Sequence, residues 1–146
     1  MNFELRINPE IDEAVRVNVH KRSDFTERLE QLVLEYNGED KITAYADGEM
    51  KAIRFQELEC VTVIDGKTFV IDAHGRQYKI RYKLYEAAAL LPSSFIKINK
   101  STIANKKRIE CFSAAFSGSV NVIFKSGYTD YVSRRCFAEI KKELKS

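Results

Sequence analysis

Six glycines punctuate this chain, and each follows a turn-former or a small polar residue: Asn37-Gly38, Asp47-Gly48, Asp65-Gly66, His74-Gly75, Ser117-Gly118 and Ser126-Gly127. Asn-Gly and Asp-Gly favour two-residue hairpin turns, because both central positions need positive φ. Several segments between them alternate in polarity. Lys67-Thr68-Phe69-Val70-Ile71 reads as a strand. Gln77–Lys83 sets Tyr78, Ile80 and Tyr82 against Lys79, Arg81 and Lys83. Ser119–Lys125 does the same with Val120, Val122 and Phe124. From about residue 41 to 132 the pattern predicts antiparallel β structure built from hairpins.

Three helices interrupt it. Asp24 with Glu27 gives a capping-box-like start, and Phe25, Leu29, Leu32, Val33 and Tyr36 follow at helical spacing. A short helix is predicted over 83–91, stopped by Pro92. A C-terminal helix begins after Ser133, a good N-cap, with Phe137, Ile140 and Leu144 on one face. Ahead of these, residues 2–7 and 14–20 alternate like strands and meet at Asn8-Pro9. With the helix over 24–36 they make an expected ββα unit. The fold class is therefore mostly β, α+β overall: small antiparallel sheets with short helices behind an N-terminal ββα extension. The expected division is 1–40 for the extension and 41–146 for the main domain.

The net charge of +3 hides an asymmetry. Residues 1–40 hold five Lys/Arg against ten Asp/Glu, and residues 41–146 hold nineteen against eleven. A basic part suggests an anionic partner, although a solvated basic face would look the same.

Other classes find little support. Met1–Arg6 is charged from the start, unlike a signal peptide, and Ala87–Leu91 is far below a membrane span. Cys60, Cys111 and Cys136 are odd in number and widely spaced, with no CxxC. They read as small apolar residues of a reduced, cytoplasmic protein, with no disulfide scaffold or metal site. His20 and His74 lack a triad or metal setting, and no glycine cluster resembles a phosphate loop. No catalytic residues and no cofactor are expected.

The candidate chemistry lies in three patches. Phe95-Ile96-Lys97-Ile98-Asn99-Lys100-Ser101-Thr102-Ile103-Ala104-Asn105 reads as a strand presenting Lys97, Asn99 and Lys100 near its exposed end, followed by the basic run Lys106-Lys107-Arg108. Lysine supplies phosphate affinity, and asparagine can make paired hydrogen bonds to a base edge. About thirty residues later, Val132-Ser133-Arg134-Arg135 opens the last helix. Ser133 can cap it while the free N–H groups there receive a phosphate. Arg134 and Arg135 oppose the helix dipole at that end, a conflict that an anion would resolve. The third patch is the hairpin tip Asp65-Gly66-Lys67, weak by itself.

At these residues the chain resembles the LytTR family of bacterial DNA-binding domains, over roughly residues 42–145. Members carry a segment like Phe-x-Arg-x-His-Arg-Ser-x-x-x-Asn, matched by Phe95–Asn105, and later a Gly-containing hairpin with a Val-Ser-Arg-Arg-like start of the last helix, matched by Ser126–Arg135. The resemblance implies a fold that reads successive major grooves of double-stranded DNA through loops. It implies base contacts by Lys67, Lys100 and Arg135 and phosphate contacts by Ser101 and Ser133, with Lys97, Asn99 and Arg134 as neighbours. Asn105 would hold a turn. Lys97, Asn99 and Lys100 stand where the family has Arg, His and Arg. Lysine lacks arginine's planar fork, so bidentate guanine reading is weakened.

A phosphoacceptor receiver commonly precedes this module, and forty-odd residues cannot form one. The resemblance is thus to the stand-alone branch of transcription regulators, which implies control by a partner, such as a small membrane protein that restrains it, in place of phosphorylation. Paired repeat sites imply two copies on DNA. The acidic extension is the candidate unit for dimerisation or partner docking. The competing expectation is a non-enzymatic interaction module that keeps the fold and binds DNA weakly or without specificity.

Overall fold

The computed structural model describes residues 1–115 and 117–144, with the side chains of 143 and 144 left aside. Helix α1 (Asp24–Asn37) comes first, then strands β1 (Lys41–Ala46), β2 (Glu49–Arg54), β3 (Leu58–Ile64), β4 (Lys67–Asp72) and β5 (Gln77–Lys79). Helix α2 (Leu84–Leu90), β6 (Phe95–Asn99), β7 (Thr102–Asn105), β8 (Ile109–Ala114), β9 (Val120–Phe124), β10 (Thr129–Val132) and α3 (Arg134–Leu144) follow. Short 3-10 turns precede β3 and β8.

The strands form a seven-stranded sheet in the order β2-β1-β5-β4-β3-β7-β6 and a three-stranded sheet in the order β10-β9-β8. Every pairing among them is antiparallel. The predicted Asp-Gly turns are present: Asp47 and Gly48 have φ of 50° and 77°, and Asp65 and Gly66 have 51° and 76°. Each closes a two-residue hairpin, β1–β2 and β3–β4, with Ala46 facing Glu49 and Ile64 facing Lys67. Positive φ at both positions matches the turn to the strands' twist.

The large sheet is covered on both faces. Leu58, Val61 and Val70 join Ile42, Ile53, Phe55 and Ala87 of α2 in one core. Cys60, Ile71, Ile98 and Ala104 join Val122 and Phe124 of the small sheet and Ile140 of α3 in the other. A register shift between Leu58 and Cys60 lets β3 feed both. Burial on two faces explains why β3 reads as a nearly continuous apolar run, Leu58-Glu59-Cys60-Val61-Thr62-Val63-Ile64. Thr62 and Glu59 are its polar exceptions, and Glu59 is the charged one. It is fully buried, and its carboxylate accepts from Arg108 Nε at 2.6 Å and from Ser126 N–H at 2.8 Å. That pair ties the large sheet to the β9–β10 turn.

The expected helices form, with adjusted ends. The first is capped one residue earlier than predicted: Ser23 is the N-cap, and its N–H donates to the Thr26 hydroxyl at 3.0 Å. Asp24 and Glu27 lie in the first turn, where the dipole favours acids. In α3, Ile140 is buried and Phe137 packs at the edge of the second core; the Leu144 side chain lies outside the described residues.

The expectation of strands over 2–7 and 14–20 is corrected. Neither segment forms a hydrogen-bonded strand, so the N-terminal extension is α1 preceded by an unpaired arm. The residues are right for strands, but no partner edge lies alongside them. Between the two segments lies a turn at Asn8–Ile11, with Glu10 N–H donating to Asn8 Oδ1 at 3.0 Å.

Candidate nucleic-acid interface

The segment expected as one strand, Phe95–Asn105, folds as a hairpin. β6 ends at Asn99, β7 starts at Thr102, and Lys100-Ser101 is the turn between them. Neither turn residue has positive φ, and the ladder takes a register shift between Lys97 and Asn99. With no glycine to supply the usual hairpin twist, an asparagine holds the turn: Asn99 Oδ1 accepts from Ser101 N–H at 2.8 Å. Lys100 projects, exposed, at the tip.

Three loops meet at this end of the fold. Ser101 carbonyl accepts from Val63 N–H at 2.9 Å, one residue before the last of β3, and so fixes the Lys100-Ser101 tip beside the Asp65-Gly66-Lys67 tip. Ser133 N–H donates to Ile98 carbonyl at 2.8 Å, which fixes the start of α3 against β6. Ser133 Oγ accepts from Cys136 N–H at 3.2 Å, so Ser133 does cap α3. Lys67, Lys100, Arg134 and Arg135 are all exposed, and Ser101 and Ser133 are partly so. Lys97 is exposed on the edge strand β6, where it shares a groove with Tyr85 and Leu84 of α2.

A buried polar network supports the loops. Asn99 Nδ2 donates to Tyr131 carbonyl at 2.8 Å and lies 3.4 Å from Asp130 Oδ1. Asp130 Oδ2 accepts from the Thr102 hydroxyl at 2.7 Å, so the Thr62 hydroxyl, 2.7 Å away, is the donor to Thr102. Asp130 Oδ1 also accepts Tyr131 N–H at 2.8 Å. The network joins β3, the β6–β7 turn and β10, the strand that leads into Ser133. Burial pushes Tyr128 up to about 12, helped by the negative charge that Cys60 would carry and by Asp130. Cys60 is raised for the same leading reason, burial, with Asp130 and Glu59 adding to it. Both groups therefore stay protonated at neutral pH.

Two expectations change on this geometry. Asn99 is fully buried with its amide engaged, so it positions the loop and is not free to reach a base edge. The run Lys106-Lys107-Arg108 is not part of an open basic surface. Lys106 and Lys107 lie 3.2 and 3.6 Å from the Glu27 carboxylate of α1, and Arg108 pairs with Glu59. The acidic extension neutralises part of the basic domain within one molecule. Asn105 does hold a turn: its Oδ1 accepts from Lys107 N–H and its Nδ2 donates to Leu58 carbonyl at 3.0 Å. Sequence reading missed Thr62, Thr102 and Asp130. Asp130 carried a usable signal, because an aspartate within a strand is disfavoured unless something holds it.

Lys67, Lys100, Arg134 and Arg135 are exposed at this end, with the Asp65 carboxylate exposed beside Lys67. Arg134 and Arg135 occupy the first turn of α3 with no acid there, where free N–H groups and the dipole favour an anion. The arrangement can grip phosphates and present side chains to a groove. Among the described residues there is no cluster of His, Cys, Asp and Glu suited to a metal.

Residues 48–145 match the family model described as the LytTr DNA-binding domain. The chain belongs to the LytTr DNA-binding domain family. This is a family of DNA-binding domains and not an enzyme class. LytTr membership covers the whole of the loop-bearing end and stops short of α1 and the arm. Relatives in Staphylococcus aureus strains N315 and NCTC 8325 / PS 47, each named as an uncharacterized HTH-type transcriptional regulator, are 28% identical over 145 residues, covering 99% of this chain and 98% of the relative. A solved structure from Bacillus cereus, described as the LytTr DNA-binding domain of a methyl-accepting/DNA response regulator, matches with a TM-score of 0.65 at 23% identity. It covers 72% of this chain and 96% of that one, and shows the fold. The helix-turn-helix in the relatives' name has no counterpart here: among the described residues every helix is separated from the next by strands. Among them, too, no helix is long and apolar enough to cross a membrane.

Proposed function

We propose that this LytTr protein is a sequence-specific transcription regulator that reads double-stranded DNA through loops. The observation that carries the reading is the convergence of the three loop tips, locked together by Val63–Ser101, Ser133–Ile98 and the Asn99–Asp130 network. Lys100 and Arg135 are the base-contacting side chains, with Lys67 from the adjoining hairpin. Ser101 and Ser133 contact phosphates through their partly exposed hydroxyl groups, since both N–H groups are taken within the fold, and Lys97 and Arg134 add charge beside them. Rigid loops over a satisfied buried network lower the cost of ordering on binding. The relatives' printed role as transcriptional regulators supports the regulatory part.

Two copies bind paired repeats, and control comes from a protein partner in place of phosphorylation, with a membrane protein as its source. The protein acts in the cytoplasm, and residues 1–40 are the regulatory unit attached to the domain over 41–146. Selection of bound duplexes from a random pool tests the reading. Enrichment of a repeated short motif is the expected result. A pool that stays random, with binding abolished by modest salt, would favour an interaction module that keeps the fold.

A further inference from the structure

The arm ahead of α1 exposes apolar side chains in a regular pattern. Phe3, Leu5 and Ile7 are 91, 73 and 88% exposed, and Val15, Val17 and Val19 are 63, 42 and 42% exposed. Each set falls at every second residue, the spacing of one strand face. Residues 12–19 contain no turn or bend, a bend at His20-Lys21 follows before the Ser23 cap, and no partner strand is hydrogen-bonded to the segment, so pairing over 12–22 straightens that bend. One flank of this segment already rests on the helix: Val15 and Val17 line a groove with Leu29, Val33 and Leu34 of α1. The arm therefore carries a strand pattern, a helix beside it, and open backbone edges.

Within one chain the arm segments are not paired, and the register that matches all three apolar pairs is opposed by charge. The hairpin register that sets Phe3 against Val19, Leu5 against Val17 and Ile7 against Val15 also sets Arg6 against Arg16. Like charges directly opposite in a ladder are destabilising. Pairing of residues 12–22 with the same residues of a second copy has the opposite character. An antiparallel two-fold register centred on Val17 sets Val15 against Val19. The same register places Glu13 opposite Lys21 and Asp12 opposite Arg22, and Arg16 meets Asn18. Each of these ion pairs occurs twice by symmetry. Valines from both copies fall on one face, the face that Leu29 and Val33 already border. The two-fold axis makes the surface self-complementary, as a dimer interface must be.

We propose that the arm is a dimerisation strand, and that residues 12–22 of two copies pair antiparallel about Val17, with one α1 helix from each copy against the valine face. Free strand edges are then satisfied by the partner, which is the strand-addition mode of recognition. The relatives align over 99% of this chain, arm included, although the family model begins only at residue 48. The arm is thus a unit added to the DNA-binding domain, and dimerisation through it does not depend on DNA.

The test is sedimentation velocity on the full chain without DNA, over roughly a hundredfold range of concentration. A concentration-dependent dimer is expected. Val17→Arg brings two like charges together on the axis and should weaken the dimer about tenfold or more. Glu13→Lys or Lys21→Glu alone should weaken it by a few-fold, and the two combined should restore it, because the swapped pair is again opposite in sign across the axis. Circular dichroism of each variant checks that the fold is kept. A wild-type protein that stays monomeric, a dimer that tolerates Val17→Arg, or a double variant no better than the single ones would each overturn the proposal. DNA affinity is measured separately at a concentration where the protein is monomeric, so failure of the dimer leaves the DNA-reading proposal standing or falling on its own data.

Discussion

The arm and the β6–β7 hairpin start from the same sequence signal and end differently. Both alternate apolar with polar residues over a β-branched background. In the hairpin, each strand finds a neighbour: β7 pairs with β3 and β6 with β7. Its inward residues Ile98 and Ala104 become fully buried. In the arm, the same alternation finds no edge within the molecule, and Phe3, Leu5 and Ile7 stay in solvent. Alternation specifies a face, and only a partner edge turns it into a strand. The hairpin's second lesson concerns polarity. Its buried polar groups are all hydrogen-bonded: Asn99 to β10, Thr102 to β10 and to Thr62 of β3, and Asn105 to the Leu58 carbonyl. Polar residues in that core hold the loops in place, whereas the charges on the arm face outward.

Substitutions can break this contrast at its strongest point first. Glu59→Ala removes the buried partner of an ion pair and takes the acceptor from Arg108 Nε and from Ser126 N–H, leaving the partly exposed Arg108, among the described residues, only the Ala73 carbonyl. The expected loss is about 3–5 kcal/mol in urea unfolding. A loss below about 1 kcal/mol would show that the link between the sheets is not set by this carboxylate. Next comes Asn99→Ala, which should cost about 2–3 kcal/mol by stripping donors and acceptors from a buried site. It should also speed amide exchange at both Ser101 and Ser133, because one side chain joins the two loops. Faster exchange at Ser101 alone would uncouple them. The smallest effect is expected in the arm. Phe3→Ala should change the stability of the dilute protein by less than about 0.5 kcal/mol. A substantial loss there would mean that the arm packs on its own domain.

Much of the architecture was legible in the sequence. Asp47-Gly48 and Asp65-Gly66 announced their hairpins, because the turn chemistry is local. Ser133 announced its cap and Pro92 the end of α2. The turn at Lys100-Ser101 was hidden, because it is held by the side chain of Asn99 and by contacts with β3, not by a glycine. The same hidden turn disguised Asn99 as a surface residue. The basic run over 106–108 misled for a related reason: its partners, Glu27 and Glu59, lie 79 and 49 residues away in sequence. Exposed tips such as Lys67, Lys100 and Arg135 could be found from motif and turn signals, while the network beneath them required the fold.

The most direct measurement is fluorescence anisotropy of the full chain on duplex DNA from upstream of its own gene, against a scrambled duplex, across a salt series. Wild type is expected to prefer the upstream duplex and to lose affinity steeply as salt rises. Lys100→Ala and Arg135→Ala should each cost about 1–3 kcal/mol and relax the preference, and Lys141→Ala, whose ammonium sits over the Phe137 ring, should change little. Equal losses from all three substitutions, on both duplexes alike, would show a general electrostatic surface and contradict loop-borne reading of DNA sequence.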